Sequence, residues 1–198
     1  MKRFYMLLVA LLLTLNVSAQ ITARDWLDGL NYTLDNRYAL FMQVEAYGEQ
    51  MNGYFMVEDD SYYIQLGIME VYSDGKLRYE VNNERKEVIE DRVNLDSRDL
   101  LTNPTRAFAF VEEEFTASID EIIHNGAILK FVPKQSADIA AVYLSVLWRD
   151  GRIIPMAIKY DYDGEEVLIA LVMADVESAI LPRWRASAYK TYDMVSFL

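Results

Sequence analysis

The sequence predicts a mainly β domain of about ten or eleven antiparallel strands, with one N-terminal helix and a helical insert near the middle. Three observations predict it. Apolar and polar residues alternate through one short run after another. Asp or Asn beside Gly recurs between the runs, at Asp74-Gly75, Asn125-Gly126, Asp150-Gly151 and Asp163-Gly164. These dipeptides tolerate the positive φ of tight hairpin turns. Helical spacing is confined to the start of the domain and to the stretch after Asn103-Pro104.

The first residues read as an export signal. Lys2 and Arg3 precede an unbroken apolar run, Met6–Leu15, and Val17-Ser18-Ala19 forms a small-residue cleavage site. Residues 1–19 are expected to be a signal peptide and 20–198 a single domain. The apolar run is about half of the roughly twenty residues a bilayer span requires. The sequence holds no cysteine, so no lipid can be attached at a cleavage-site thiol and no disulfide can support the fold. The core must do so alone. Removing residues 1–19 takes away Lys2 and Arg3 and no acid, moving the net charge from −12 to −14. Such acidity excludes nucleic acid as a partner and opposes docking on anionic headgroups.

Thr22–Arg37 is expected to be the helix. Thr22 is a fitting N-cap with Asp25 three residues on, and Ala23, Trp26, Leu27, Leu30 and Leu34 share one face. Gly29 costs such a helix about 1 kcal/mol, so packing must hold it. Tyr38–Tyr47 then alternates, with Leu40, Met42, Val44 and Ala46 on one side and Phe41, Gln43, Glu45 and Tyr47 on the other. A turn is expected over Gly48–Gly53. Gly53–Val57 and Ser61–Leu66 pair around the acidic tip Glu58-Asp59-Asp60. A meander follows over Glu70–Arg92, turning at Asp74-Gly75 and Asn82-Asn83. Val71 and Tyr79, or their alternates, are expected to face either the interior or water.

Val93–Glu114 breaks the alternation. Asn103 as N-cap and Pro104 at the first helical position signal one or two short helices, with Leu101, Phe108 and Val111 at helical or near-helical spacing. Hairpins follow: Phe115–Ile123 with Ala127–Val132, then Ala137–Trp148 with Arg152–Asp161, then Glu165–Met173. Ser178–Ser187, with Pro182 and Trp184, is irregular, and Lys190–Leu198 reads as a last short strand.

Reactive groups are sparse. His124 is the single histidine and abuts a turn. A general base there is the functional reading, and a surface turn residue the ordinary one. No G-x-S-x-G elbow, H-E-x-x-H pair or glycine-rich phosphate loop is present. Glu112-Glu113-Glu114 and Asp59-Asp60 are adjacent acids, which a strand would send to opposite sides. Asp161-Tyr162-Asp163-Gly164 faintly resembles a calcium loop, but Glu166 stands where the EF-hand needs glycine. Apolar strand faces remain, either as a filled core or as the lining of a hollow for a hydrophobic ligand.

The order of motifs resembles that of the LolA family of periplasmic carriers of outer-membrane lipoproteins. Phe41-x-Gln43 is similar to the family's F-x-Q, and Gly53-Tyr54-Phe55-Met56-Val57 to its next strand. Ser73-Asp74-Gly75-Lys76 is similar to its S-D-G-K hairpin, and Asn103-Pro104 with Phe108 to the start of its lid. Arg149-Asp150-Gly151 with Ile153 and Pro155, and Asp193-Met194-Val195, complete the series. The resemblance implies a half-open antiparallel β-barrel covered by an N-terminal helix and a central helical lid. It implies a monomer in the periplasm, without catalysis, cofactor or metal. Its partners would be acylated lipoproteins, an inner-membrane release complex and an outer-membrane acceptor.

Leu30, Leu34, Met42, Val44, Phe55, Val57, Leu101 and Phe108 are expected to line the acyl-chain hollow and its lid. One departure stands out. Relatives carry Arg-Pro at the tip between the second and third strands, where the Arg latches the lid, and this chain has Asp59-Asp60. That departure motivates an alternative, a non-catalytic module sensing a lipid or a partner on the same fold. An envelope hydrolase would rest on His124 and the carboxylates alone.

Overall fold

The computed structural model describes residues 21–94, 104–106, 114–135, 138–162, 165–176 and 179–198. Helix α1 (Ala23–Thr33) starts at the expected capping box. Asp25 N–H donates to Thr22 Oγ1 at 3.3 Å, and Thr22 N–H donates to Asp25 Oδ2 at 2.7 Å. It stops at Thr33, short of the expected Arg37. Leu34 caps the last turn through its N–H to the Leu30 carbonyl, and Asn36 adopts a φ of 53° to feed the first strand.

Among the described residues twelve strands follow: β1 (Arg37–Ala46), β2 (Glu49–Glu58), β3 (Ser61–Leu66), β4 (Met69–Ser73), β5 (Leu77–Asn82), β6 (Glu87–Arg92), β7 (Phe115–Ile123), β8 (Gly126–Pro133), β9 (Ala141–Arg149), β10 (Arg152–Tyr162), β11 (Glu165–Met173) and β12 (Asp193–Ser196). They form one sheet ordered β12-β6-β5-β4-β3-β2-β1-β11-β10-β9-β8-β7. All pairs are antiparallel except β12 with β6. The sheet is open, with β12 and β7 at its ends. It has one strand more than the upper expectation, and most of the stretch read as a turn over Gly48–Gly53 is strand.

Several turns differ from the sequence reading. Tyr47-Gly48 is a two-residue turn with both φ values positive, 54° and 78°, so β2 starts at Glu49 rather than Gly53. The next hairpin turns at His124-Asn125, not at Asn125-Gly126. Gly126 lies inside β8, where an added Cβ would stand 2.1 Å from the Val146 carbonyl oxygen. Asp74-Gly75 belongs to a three-residue loop held by Asp74 Oδ1, which accepts from the N–H groups of Lys76 and Leu77, each at 2.9 Å. Asp59-Asp60 and Asp150-Gly151 turn as expected, while Asp163-Gly164 lies outside the described residues.

Both faces of the sheet bury apolar side chains. On one, called here the helix face, α1 packs against β10 and β7. Leu27 and Leu30 join Leu40, Tyr62, Leu129, Leu144 and Leu171 in a single cluster there. Gly29 explains how closely the helix approaches. A Cβ at that position would lie 2.4 Å from Ile153 Cδ1. The opposite, strap face carries Ala39, Met56, Tyr63, Tyr72, Val81 and Val88, covered by Leu181 and Trp184 of the C-terminal segment. Val71 therefore faces α1. Tyr79 faces the other way, against the strap rather than water.

Candidate functional site

The helix face gathers the residues expected to line a hollow. Leu30 and Leu34 come from the helix and its cap, Met42 from β1, and Phe55 and Val57 from β2. All five are buried in one cluster. Val44 is partly buried and packs against them. Strand alternation puts the β1 and β2 members on this side, since Met42 and Val44 share parity and Phe55 opposes Leu40. Leu101 and Phe108 lie outside the described residues. The same wall continues through Ile169 and Leu171 of β11 and Ile158 of β10. The sequence reading missed that extension because the β1–β11 pairing joins strands far apart along the chain.

One short turn lies against this wall. It belongs to the connection between β6 and β7, which are ten positions apart in the sheet. Midway, Pro104–Arg106 forms a 3₁₀ turn against β2 and β3. Pro104 is buried, and its carbonyl accepts a hydrogen bond from the Tyr38 hydroxyl at 2.5 Å. Tyr38 is itself held edge-on against Phe55, with ring centroids 5.9 Å apart. Burial pushes the Tyr38 hydroxyl above the ordinary tyrosine range, so it stays a neutral donor. Pro104 opens the turn as expected. The rest of the expected lid, including Asn103 and 107–113, lies outside the described residues.

The wall changes character at β4–β6. Register carries one row of side chains from Tyr38 through Val57, Tyr62 and Ser73 to Arg78. Ser73 is buried and polar. Arg78 Nη2 donates to Glu80 Oε2 at 2.8 Å, and Arg78 Nε is sealed from water with no acceptor among the described residues.

The strap face holds a second polar cluster that sequence reasoning did not single out. Tyr72 and Tyr63 hydroxyls donate to Glu70 Oε2 at 2.5 and 3.1 Å, and Asn83 Nδ2 donates to Glu70 Oε1 at 2.7 Å. Desolvation pushes the Glu70 carboxyl up, but these hydrogen bonds outweigh it and the net shift is downward. Burial, with the Glu70 charge beside them, pushes both tyrosines up. Trp184 stacks between Tyr79 and Tyr189, with centroids 4.4 and 5.0 Å away. Direct opposition of Tyr63, Tyr72 and Tyr79 in successive strands was the signal, visible only once the register is known. The cluster clasps the C-terminal segment to the sheet.

The other singled-out groups stay apart. His124 is an exposed turn residue, and Asp59 and Asp60 are exposed at the β2–β3 tip. No group of three or more metal-ligating side chains occurs among the described residues.

No family model matches the chain, and no curated protein matches it. Solved structures do. An uncharacterized conserved protein from Thermus thermophilus aligns over 88% of this chain and 98% of its own, at 14% identity and a TM-score of 0.58. A LolA superfamily protein from Nitrosomonas europaea aligns over 83% and 99%, at 11% identity and a TM-score of 0.41. LprF from Mycobacterium bovis aligns over 81% and 96%, at 10% identity and a TM-score of 0.47. The chain shares its overall fold with the Thermus protein, and a LolA superfamily protein is among its looser structural neighbours.

Proposed function

We propose that this protein is a periplasmic carrier that shelters the acyl chains of lipid-modified proteins on its helix face and delivers them to the outer membrane. One observation carries the proposal. Leu30, Leu34, Met42, Val44, Phe55 and Val57 share an apolar face, and Tyr38 of the same cluster tethers the turn at Pro104–Arg106. The ordered motifs of the LolA family support the same reading. On this reading the open sheet curls into a half-barrel around α1, and residues 93–114 act as the lid.

Carriage needs neither catalysis nor a cofactor. Burying one CH₂ is worth about 0.8 kcal/mol, so a sixteen-carbon chain gains on the order of 10 kcal/mol on leaving water. A carrier must also let go. Here the apolar face is already packed by α1, so ligand must displace protein contacts, and that cost offsets part of the gain. Acylated lipoproteins are the cargo, with an inner-membrane complex as donor and an outer-membrane protein as acceptor.

The direct test incubates the purified protein with membranes displaying processed lipoproteins. Acylated protein in the soluble fraction supports carriage, and none there refutes it. The Asp59-Asp60 tip favours a second reading, a sensing module, because it offers no cation to latch a lid. A pull-down returning a stable inner-membrane protein without lipid would select that reading instead.

A further inference from the structure

We infer that Arg78 is a binding post for an uncharged carbonyl, the ester or amide that joins an acyl chain to the rest of the ligand. The inference rests on the carrier reading of the helix face and names the chemistry at one end of it.

Arg78 is a cation at the polar end of an apolar wall. Register puts it in the same cross-strand row as Tyr38, four strands away. At about 4.8 Å per strand, that is roughly 19 Å along the sheet from the tethered turn at Pro104. Between them lie Val57, Tyr62 and Ser73, so the row passes from aliphatic to hydroxylated to charged. On β5 and β6 the residues sharing this face are Glu80, Asn82, Glu87, Ile89 and Asp91. The apolar wall thus ends where Arg78 begins. A ligand with apolar chains and a polar linkage has the matching sequence of chemistry.

The charges decide which linkage fits. Glu80 holds one Arg78 amino group at 2.8 Å and balances its charge. Glu87 and Asp91 add negative charge on the same face, Asp91 directly opposite Arg78 in the register. A phosphate or carboxylate would meet net repulsion there. A neutral carbonyl would not. The guanidinium also has a donor to spare. Its Nε–H is shut off from water without an acceptor among the described residues, an arrangement that costs stability until an acceptor arrives. The side chain is 22% exposed, so although Nε is covered the residue borders solvent. The pair Arg78–Glu80 therefore favours acyl esters and amides over free fatty acids, which bear the same chains on an anionic head.

The test titrates the purified protein with dioctanoylglycerol, its dioctyl ether analogue, octanoate and methyl octanoate. The ether lacks only the carbonyls, and octanoate replaces the ester with an anion. Dioctanoylglycerol should bind about tenfold tighter than the ether, as one hydrogen bond to a charged donor is worth. Octanoate should bind more weakly than methyl octanoate, which bears the same single chain on an uncharged ester. In the double variant Arg78→Met with Glu80→Gln, which removes the donor without stranding the carboxylate, ester and ether should bind alike. Equal binding of ester and ether by the unaltered protein overturns this inference and leaves the carrier reading standing. An ester preference that survives in the double variant overturns the assignment to Arg78. Failure of all four probes to bind overturns the carrier reading and this inference together. Should the variant not fold, the comparison in the unaltered protein decides.

Discussion

Two hydroxyl-centred contacts bear directly on how the covering segments are held. Tyr38→Phe keeps the ring against Phe55 but leaves the buried Pro104 carbonyl without its donor. The loss should cost about 1–2 kcal/mol in urea unfolding and should raise proteolytic cleavage between residues 93 and 114. Unchanged stability and cleavage would mean that the bond does not hold the Pro104–Arg106 turn. Glu70 anchors the other face. Its pKa is lowered from an ordinary 4.5, so it contributes stability above that value and loses it as pH falls through the lowered one. Tyr63 and Tyr72 are raised above 10, so their contribution is complete below pH 10 and is lost as pH rises beyond it. Thermal melting against pH should fall off at both ends. Glu70→Gln should flatten the acid limb, and an unaltered acid limb would remove Glu70 from the account.

At the scale of elements, close approach decides more than propensity. Gly29→Ala gains about 1 kcal/mol in helix propensity but meets Ile153 Cδ1 at 2.4 Å in a buried contact. Overpacking of that kind costs about 1–3 kcal/mol, so the variant should be no more stable than the parent. Adding Ile153→Val removes the offending methyl and should recover at least part of the loss. Gly126→Ala should be worse, by about 3 kcal/mol or more, because the obstacle is the Val146 carbonyl oxygen and backbone cannot step aside. Chemical denaturation of the three variants checks the order. The sequence could be read well where the cause is local. Thr22 with Asp25, and Asp150-Gly151, act through neighbours a few residues away, and both behave as their residue types require. Gly126 was misplaced by one residue because Asn-Gly is also what a buried close approach looks like. Asn125 alone takes the positive φ, and the glycine serves Val146.

For the whole molecule, the alternation of Leu40, Met42 and Val44 sorted the faces of β1 correctly. It did not reveal that the far face is also covered. Tyr63, Tyr72 and Tyr79 look like ordinary strand aromatics until the C-terminal segment brings Trp184 and Tyr189 to them from more than a hundred residues away. The β1–β11 pairing and the parallel β12 edge are likewise products of long-range closure, which no local pattern encodes. The shared apolar face of the α1, β1 and β2 residues was legible because those elements are adjacent in the chain. Arg78 was not, because its meaning depends on a row that runs across five strands.

The central claim is that this apolar wall shelters acyl chains. Native mass spectrometry of protein freshly purified from its native source tests it most directly. The account predicts a population heavier than the bare chain by the mass of a lipid or acylated peptide, released on mild activation. Spectra containing the bare chain alone, in preparations where added acyl ligand also fails to bind, would contradict it.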